Sequence, residues 1–454
     1  MDQLADLHIS INREEGGIAA QIACELRESI RQGRLEAGVR LPATRDLAAD
    51  LQVSRGVVVE AYEQLVAEGF LLSRVGVGTV VAPAGSREEP PAPPQPPPVC
   101  TPFYGHRATS PDLSSFPRER WLASLRHVLA HVPSDALDYG DPGGVPELRE
   151  ELAGYLRRVR AADVHPENLM IVGGVAQGLS LTLHVLGGIR LAVEDPTSNR
   201  QIPLLRRAGA EIVPVRADEQ GIDVGALRAS GADAVLVTPA HQYPTGVVLS
   251  PGRRAELMAW GGLILEDDYD AEFRFDRDPV GCLQGLAPDR VVLSGSISKS
   301  MAPGLRIGWV AAPADLAHGV RQARGELDLG SPVIDQYALA HFLRTGAYDR
   351  HLRKARREYR RRRDALVKVL AEHLPEVRVH GIEAGLHVYL ELPPDWDEHG
   401  LALAAQSLGL AAEPVGPMRF TPGPPAIVVG FARLPVHKTA EAIAALRSLT
   451  SSRR

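Results

Sequence analysis

Between residues 83 and 99 the chain reads PAGSREEPPAPPQPPPV, and no single compact fold can be built through that run. Proline fixes φ and carries no donor N–H, so this density excludes helix and sheet and favours an extended polyproline conformation. At about 3.1 Å per residue such a segment reaches roughly 50 Å as a semi-rigid spacer. The 454 residues therefore divide into a small unit (1–82), a linker (83–101) and a large unit (102–454), as the length alone also favours.

The small unit is predicted to hold three helices and a hairpin. IAAQIACELRESIRQGRL places Ile22, Leu26 and Ile30 at helical spacing and meets Gly33 as a stop. In LPATRDLAADLQVSRGVVVEAYEQLVAEGFL a short helix opens near Thr44, a turn falls at Gln52 and Val53, and Ser54 is expected to cap a second helix that runs to about Glu68. FLLSRVGVGTVVA then supplies two short strands around a glycine-flanked tip. This is the order of a helix-turn-helix followed by a wing. It is useful because the start of the second helix can meet phosphates and base edges in the major groove.

The large unit alternates strand and helix, as an open, mostly parallel sheet does. Seven strands are expected, in NLMIVGG, GIRLAVEDP, AEIVPV, ADAVLVTP, GGLILEDD, DRVVLSG and RIGWVAAP. From about Arg344 the pattern changes to a long basic helix, then strands VRVHG and GLHVYLEL and a last helix from about Pro435, a smaller α+β subdomain. A solvated face is the default expectation for the basic helix, with a second DNA-contacting surface as the alternative.

One lysine stands out. SGSISKSMAPGLRIGW sets Lys299 among small hydroxyl residues, with Arg306 seven positions on. A partly desolvated amine near cationic groups can form a Schiff base. Ser296, Ser298 and Arg306 suit a phosphate, and LILEDDYDAEF offers an acid at the end of an apolar strand. A cofactor that combines an aldehyde, a phosphate and a pyridinium, pyridoxal 5′-phosphate, fits this set.

The first 82 residues resemble the winged helix-turn-helix of the GntR regulators, through GRLEAGVRLPATRDLAADLQVSRGVVVEAYEQLVAEGFLLSRVGVGTVV. By that resemblance Arg45 and Arg55 contact DNA, Thr44 and Ser54 lie near phosphates, and Gly76 and Gly78 form a wing tip in the minor groove. Acids outnumber bases in this unit, twelve to eight, so binding should rest on a local arginine face and weaken steeply with salt. The helix after Ser54 and Arg55 carries Gly56, Val57, Val58 and Val59, which offer only methyl contacts.

From Pro102 onward the chain resembles the fold-type I aminotransferases, and the two parts together resemble the MocR/GabR regulators. The resemblance implies pyridoxal 5′-phosphate, with Lys299 as the Schiff-base lysine, Arg306 on the phosphate, Asp267 on the pyridinium and Tyr269 on the ring hydroxyl. GGVAQGL opens a helix after a strand, so the amides of Val175 and Ala176 can hold the phosphate. DYGDPGGVPELREEL carries Tyr139, whose counterpart reaches the neighbouring subunit's phosphate, which implies a homodimer. Arg200 matches a position assigned to an effector's acid group, and a plain surface charge is as good a reading of it.

Three departures bear on turnover. Aminotransferases hold the substrate carboxylate with an arginine in a strand near the C-terminus, and here that strand reads AIVVGFARL, with Ile427 and Val428 in that region. Ser198 stands where an aromatic stacks on the pyridine ring, a contact worth about 0.5–1.5 kcal/mol, and Tyr243 is the expected substitute. Tyr243 also occupies the usual asparagine position in TPAHQYPTG, leaving His241 or Gln242 to bond the ring hydroxyl.

The expectation is a DNA-binding regulator of MocR type that senses an amine, an amino acid or pyridoxal phosphate itself and reads repeated half-sites as a dimer. The alternatives are a working aminotransferase with an accessory N-terminal domain, and a DNA-binding protein whose scaffold holds no cofactor. No apolar run reaches the roughly 18 residues of a membrane span, and MDQLADLHIS lacks the features of a signal segment. Cys24, Cys100 and Cys282 are too scattered for a zinc site or disulfide framework. A cytoplasmic setting, with no metal and no membrane partner, is expected.

Overall fold

The computed structural model describes residues 9–74, 78–83, 107–275 and 280–451. The chain divides into two compact units, 1–101 and 102–454. Gly76, Cys100 and the proline run of the linker lie outside the described residues.

In the first unit, α1 (Ile18–Arg31), α2 (Thr44–Asp50) and α3 (Arg55–Ala67) precede a hairpin of β1 (Leu71–Arg74) and β2 (Gly78–Val81). The strands pair antiparallel, Leu71 opposite Val81 and Arg74 opposite Gly78. Ile22, Leu26, Leu47, Val58, Leu65 and Leu71 are buried together as the core. Gln52 makes the turn between α2 and α3 with φ 52°, a left-handed conformation that non-glycine residues seldom adopt. Ser54 occupies the N-cap position of α3, but its hydroxyl makes no cap hydrogen bond. Val58 belongs to the core and Val57 packs against it. The expected row of valine methyls is thus largely spent on packing rather than offered outward.

The second unit carries an eight-stranded sheet in the order β3-β10-β9-β8-β7-β4-β5-β6. The strands are β3 (Leu169–Val172), β4 (Arg190–Asp195), β5 (Glu211–Asp218), β6 (Gly221–Ile222), β7 (Ala234–Val237), β8 (Leu263–Asp268), β9 (Val291–Ser296) and β10 (Gly308–Ala311). All seven expected strands are present, and the eighth, β6, is a two-residue edge strand antiparallel to β5. Pairs β4/β5, β4/β7, β7/β8 and β8/β9 are parallel. β10 runs antiparallel to both β9 and β3, so β3 points the same way as β9. Consequently the carboxyl ends of β3, β4, β7, β8 and β9 open onto one edge of the sheet, where open α/β sheets bind ligands. The central strands are buried along nearly their whole length, covered on both faces as parallel sheets require. The covering helices include α4 (Arg118–His131), α5 (Pro146–Arg160) and α6 (Val175–Leu186).

Beyond these, the helix Ala347–His373 leads to a four-stranded antiparallel sheet, order β11-β12-β14-β13. Its strands are β11 (Arg378–His380), β12 (His387–Glu391), β13 (Ala411–Pro414) and β14 (Ala426–Gly430). The long helix buries Tyr348, Leu352, Ala355, Tyr359, Leu366 and Leu370 as one stripe. Arg353, Lys354, Arg357, Arg360 and Arg361 stay exposed on it. Two elements were not expected: the helix Glu398–Ser407, capped by Asp397 accepting from the His399 N–H, and β13. Cys282 is buried and Cys24 exposed. No helix among the described residues is long and apolar enough to cross a membrane.

Candidate functional site

The strand ends that share one edge of the large sheet enclose a cavity of about 420 Å³, within the usual size of a small-molecule site. It is lined by Val175 and Ala176 from the start of α6, Ser198 and Arg200 beyond β4, Tyr243 beyond β7, Asp267 near the end of β8 and Tyr269 just beyond it, and Ser296, Ser298, Lys299 and Arg306 around and beyond β9. The parallel topology explains why residues so far apart in sequence meet here.

Lys299 donates from Nζ to Thr109 Oγ1 at 3.0 Å. Its ammonium is pushed down to about 8, mainly by burial and then by the positive charge of Arg107, with Asp270, Asp267 and Glu413 opposing. About a tenth of the amine is therefore neutral, hence nucleophilic, at pH 7, far more than for an ordinary lysine. Asp267 Oδ2 accepts from Gln201 Nε2 at 3.0 Å. Its other oxygen, Oδ1, is buried and lacks a hydrogen-bond partner. Burial pushes this carboxyl up to about 7, the Gln201 hydrogen bond working against the rise. A buried carboxylate oxygen without a donor suits a cationic N–H such as a pyridinium.

The opposite end of the cavity suits a phosphate. The first amides of α6 have no acceptor within their own helix, and the helix N-terminus attracts an anion. Gly174, just before α6, has φ 122°, and a Cβ there would lie 3.2 Å from the Arg306 guanidinium. Glycine at this position lets Arg306 approach the helix start. Arg306 itself takes the left-handed conformation, φ 52°, in the turn between β9 and β10.

Some expected contacts fall elsewhere. His241 and Gln242 do not line the cavity. Gln242 is tied to backbone by its Nε2, which donates to the carbonyls of Pro196 and Tyr243, and its Oε1 accepts from Thr245. His241 Nδ1 instead lies 3.1 Å from the Tyr269 hydroxyl. Tyr243 does line the cavity, edge-on to Tyr269, with ring centres 6.2 Å apart. Tyr139 is 82% exposed and does not line the cavity of its own subunit. Val428 is fully buried in β14, opposite Tyr389 on one side and Glu413 on the other, so no arginine issues from that strand position. Arg200 lies at the cavity, with Nη2 3.1 Å from Glu413 Oε2.

Sequence reasoning passed over Arg107, Thr109, Gln201 and Glu413, all at the cavity. Arg107 and Thr109 follow the linker in a segment with no local motif. Glu413 lies in the unexpected strand β13.

In the first unit, Arg45, Ser54 and Arg55 are exposed at the starts of α2 and α3. Arg55 Nε donates to Thr44 Oγ1 at 3.4 Å, linking the two helix starts. Gly78 opens β2 with φ 98°, and a Cβ there would lie 3.2 Å from Arg40 Nε. Exposed Arg40 thus stands beside the wing, a further positive charge, besides Arg45 and Arg55, that the helix-turn-helix pattern did not single out.

Comparison with known proteins agrees with both units. Residues 111–447 match the family of class I and II aminotransferases, and residues 18–81 match the gntR family of bacterial regulatory proteins. The pyridoxine biosynthesis transcriptional regulator PdxR of Corynebacterium glutamicum is 35% identical over 432 residues, 90% of this chain and 91% of that protein. The probable rhizopine catabolism regulatory protein MocR of Rhizobium meliloti is 30% identical, over 94% of this chain and 92% of that protein. Among solved structures, an archaeal alanine:glyoxylate aminotransferase superposes with a TM-score of 0.71 at 28% identity, over 77% of this chain and 90% of that one. The α-aminoadipate aminotransferase LysN of Thermus thermophilus, solved with a phosphopyridoxyl-leucine, gives 0.69 at 27% identity, over 76% of this chain and 92% of that one. The chain belongs to the MocR/GabR subfamily of GntR transcriptional regulators, in which a DNA-binding helix-turn-helix is joined to a fold-type I aminotransferase-like domain built for pyridoxal 5′-phosphate.

Proposed function

We propose that this regulator senses pyridoxal phosphate, or an amine combined with it, at Lys299 and passes the state of that site to its DNA-binding unit without turning substrate over. The observation that carries this reading is the pairing of Arg200 with Glu413 in a cavity where Val428 replaces a carboxylate clamp. Lys299, Asp267, Tyr269 and Arg306 can hold the cofactor, whereas Arg200 is engaged by Glu413 and the strand position of Val428 offers no guanidinium to hold a substrate carboxylate for proton removal. When bound, pyridoxal phosphate supplies an aldehyde for an amine and an electron sink. The relative PdxR is named for pyridoxine biosynthesis, which favours the cofactor itself as the signal.

In this reading the protein is a homodimer. Exposed Tyr139 reaches the partner subunit's phosphate site, and two helix-turn-helix units on proline linkers read half-sites about 34 Å or a multiple apart. Arg45, Arg55, Thr44, Ser54 and the glycines of the wing, Gly76 and Gly78, contact DNA. Segment 107–109, which follows the linker, connects the two functions: Thr109 accepts from Lys299, and the Ala108 N–H donates to Glu413. A ligand that takes Lys299 away from Thr109 therefore alters the chain where it leaves the linker, and differential affinity for two arrangements makes that a signal.

The test is a gel-shift titration on the DNA upstream of the protein's own gene, with and without pyridoxal phosphate. Sequence-dependent binding at moderate salt that responds to pyridoxal phosphate in the wild type and ignores it in Lys299→Ala is the expected result. Absence of sequence-dependent binding refutes the proposal. The lowered Lys299 ammonium also suits an aminotransferase. Steady amino-group transfer from any member of a broad amine panel to a keto acid, abolished in Lys299→Ala, would establish that reading instead.

A further inference from the structure

His241, Asp270 and His387 form a cluster beside Tyr269, each almost entirely buried and each offering one ligand-type atom within 4.8 Å of the others. His241 Nδ1 lies 3.0 Å from Asp270 Oδ2 and 3.1 Å from the Tyr269 hydroxyl oxygen. A carboxylate oxygen accepts, so Nδ1 carries the hydrogen, and the phenol oxygen shares it. His241 Nε2 is buried with no hydrogen-bond partner. His387 is fixed by the same logic. Its Nε2 lies 3.3 Å from the Pro244 carbonyl and must donate, while its Nδ1 is buried without a partner. The two imidazoles are 4.8 Å apart between ring centres. Burial, with His241 as the next cause, holds His387 well below the usual histidine range, so it stays neutral.

A phenol oxygen that receives a hydrogen from His241 turns its own hydrogen away from that nitrogen. The Tyr269 O–H has two directions left, the Asp270 carboxylate, which also lies within its hydrogen-bond reach, and the cavity that Tyr269 lines; with Asp270 already accepting the His241 Nδ1–H, a ring oxygen in the cavity is the acceptor not yet engaged. Burial, reinforced by the charge of Asp270, pushes the phenol well above the usual tyrosine range, so it remains a donor.

We propose that His241, oriented by Asp270, is a positioning residue that commits the Tyr269 hydroxyl hydrogen to the cavity, where it is donated to the ring oxygen of bound pyridoxal phosphate. The inference rests on the cavity's being the cofactor site and is independent of DNA binding. It assigns a task to the histidine of TPAHQYPTG that direct contact with the ring does not.

The experiment follows the visible absorption of the full-length, cofactor-loaded protein against pH. Asp267, Tyr243, Lys299, His387 and Asp270 all act on this neighbourhood, so variants are compared with the wild type rather than with a reference value. Donation from Tyr269 favours the ionised ring oxygen and keeps the midpoint low. His241→Leu removes the Nδ1–H and is expected to raise the midpoint by about one pH unit, in the direction of Tyr269→Phe. His241→Asn, whose amide can place an N–H near the Nδ1 position, should restore most of the shift. The double variant His241→Leu/Tyr269→Phe should shift no further than Tyr269→Phe alone. If His241→Leu does not fold, His241→Phe carries the same expectation. An unshifted midpoint without the histidine, or full additivity in the double variant, overturns the proposal. Stoichiometric zinc in the purified protein, lost in His387→Ala, also overturns it by making the cluster a metal centre. A wild-type protein that gains no visible band with pyridoxal phosphate fails at the cofactor site itself, a separate outcome.

Discussion

Glu413 is paired with Arg200: Oε2 lies 3.1 Å from Nη2, while Oε1 accepts the Ala108 N–H at 3.0 Å. One carboxylate thus engages Arg200, the arginine proposed to meet an effector's acid group, and at the same time accepts from the segment that follows the linker. An incoming carboxylate has to compete with it.

Glu413→Gln keeps an acceptor and removes the charge. Carboxylate-bearing amines should then bind roughly tenfold tighter, about 1.4 kcal/mol, with little change for amines lacking an acid group. About a third of the Arg200 side chain is exposed, so solvent screening keeps the gain modest. Spectral titration of the cofactor-loaded protein with matched amines and amino acids measures it. Equal gains for both classes would mean that Arg200 does not meet the ligand's acid group.

Lys299 sits near 8 because of burial first and Arg107 second. Only the neutral amine attacks an aldehyde, so the rate of cofactor uptake by the empty protein should rise with pH and level off above about 8. In Arg107→Ala the midpoint should move upward, yet remain below the ordinary lysine value because burial persists. Stopped-flow absorbance across pH 6 to about 10 reads both. A midpoint unmoved by Arg107→Ala would assign the depression to burial alone.

Much of this was legible in the sequence because it is local. Lys299, Ser296, Ser298 and Arg306 fall within eleven consecutive residues, and β8 and β9 announce themselves by their apolar starts, LIL and VVL, ahead of buried polar ends. What escaped is non-local or weakly patterned. Thr109 meets Lys299 across 190 residues and Glu413 meets Ala108 across 305, so no spacing could reveal either contact. The helix Glu398–Ser407 buries Leu401, Ala402 and Ala405 but exposes Leu403, which blurs its polar face. β6 is too short to leave a period. His241 was legible as a residue but not as a partner of Tyr269, because ring hydroxyl and phenol are equally plausible targets until burial is known.

The helix-turn-helix makes a separable prediction. Arg55 and Arg45 are exposed at the starts of α3 and α2. If Arg55 reads a base edge, Arg55→Ala should cost about 1–3 kcal/mol on the operator and relax its sequence preference. Arg45→Ala, if Arg45 meets a phosphate, should weaken all DNA alike and lower the salt slope by about 1. Fluorescence anisotropy on specific and scrambled DNA at several salt concentrations distinguishes the two roles. Both variants should leave cofactor absorbance unchanged, since neither residue belongs to the unit that holds Lys299.

Asp267 links stability to pH. Its folded-state value is raised to about 7 by burial, above the roughly 3.9 of an unfolded aspartate. Below both values folded and unfolded chains are protonated alike. As pH rises between them, the unfolded chain ionises first, so the empty protein loses stability, by an upper bound on the order of 4 kcal/mol from this group. A pyridinium beside the orphaned Oδ1 stabilises the carboxylate and removes that penalty. The gap in melting temperature between cofactor-loaded and empty protein should therefore widen from about pH 5 to about pH 7. In Asp267→Asn the widening should disappear, because an amide does not ionise. Calorimetric scans of both proteins, loaded and empty, at half-unit steps settle it: a gap flat with pH in the wild type, or one that widens equally in Asp267→Asn, would mean that Asp267 does not meet the cofactor's ring nitrogen.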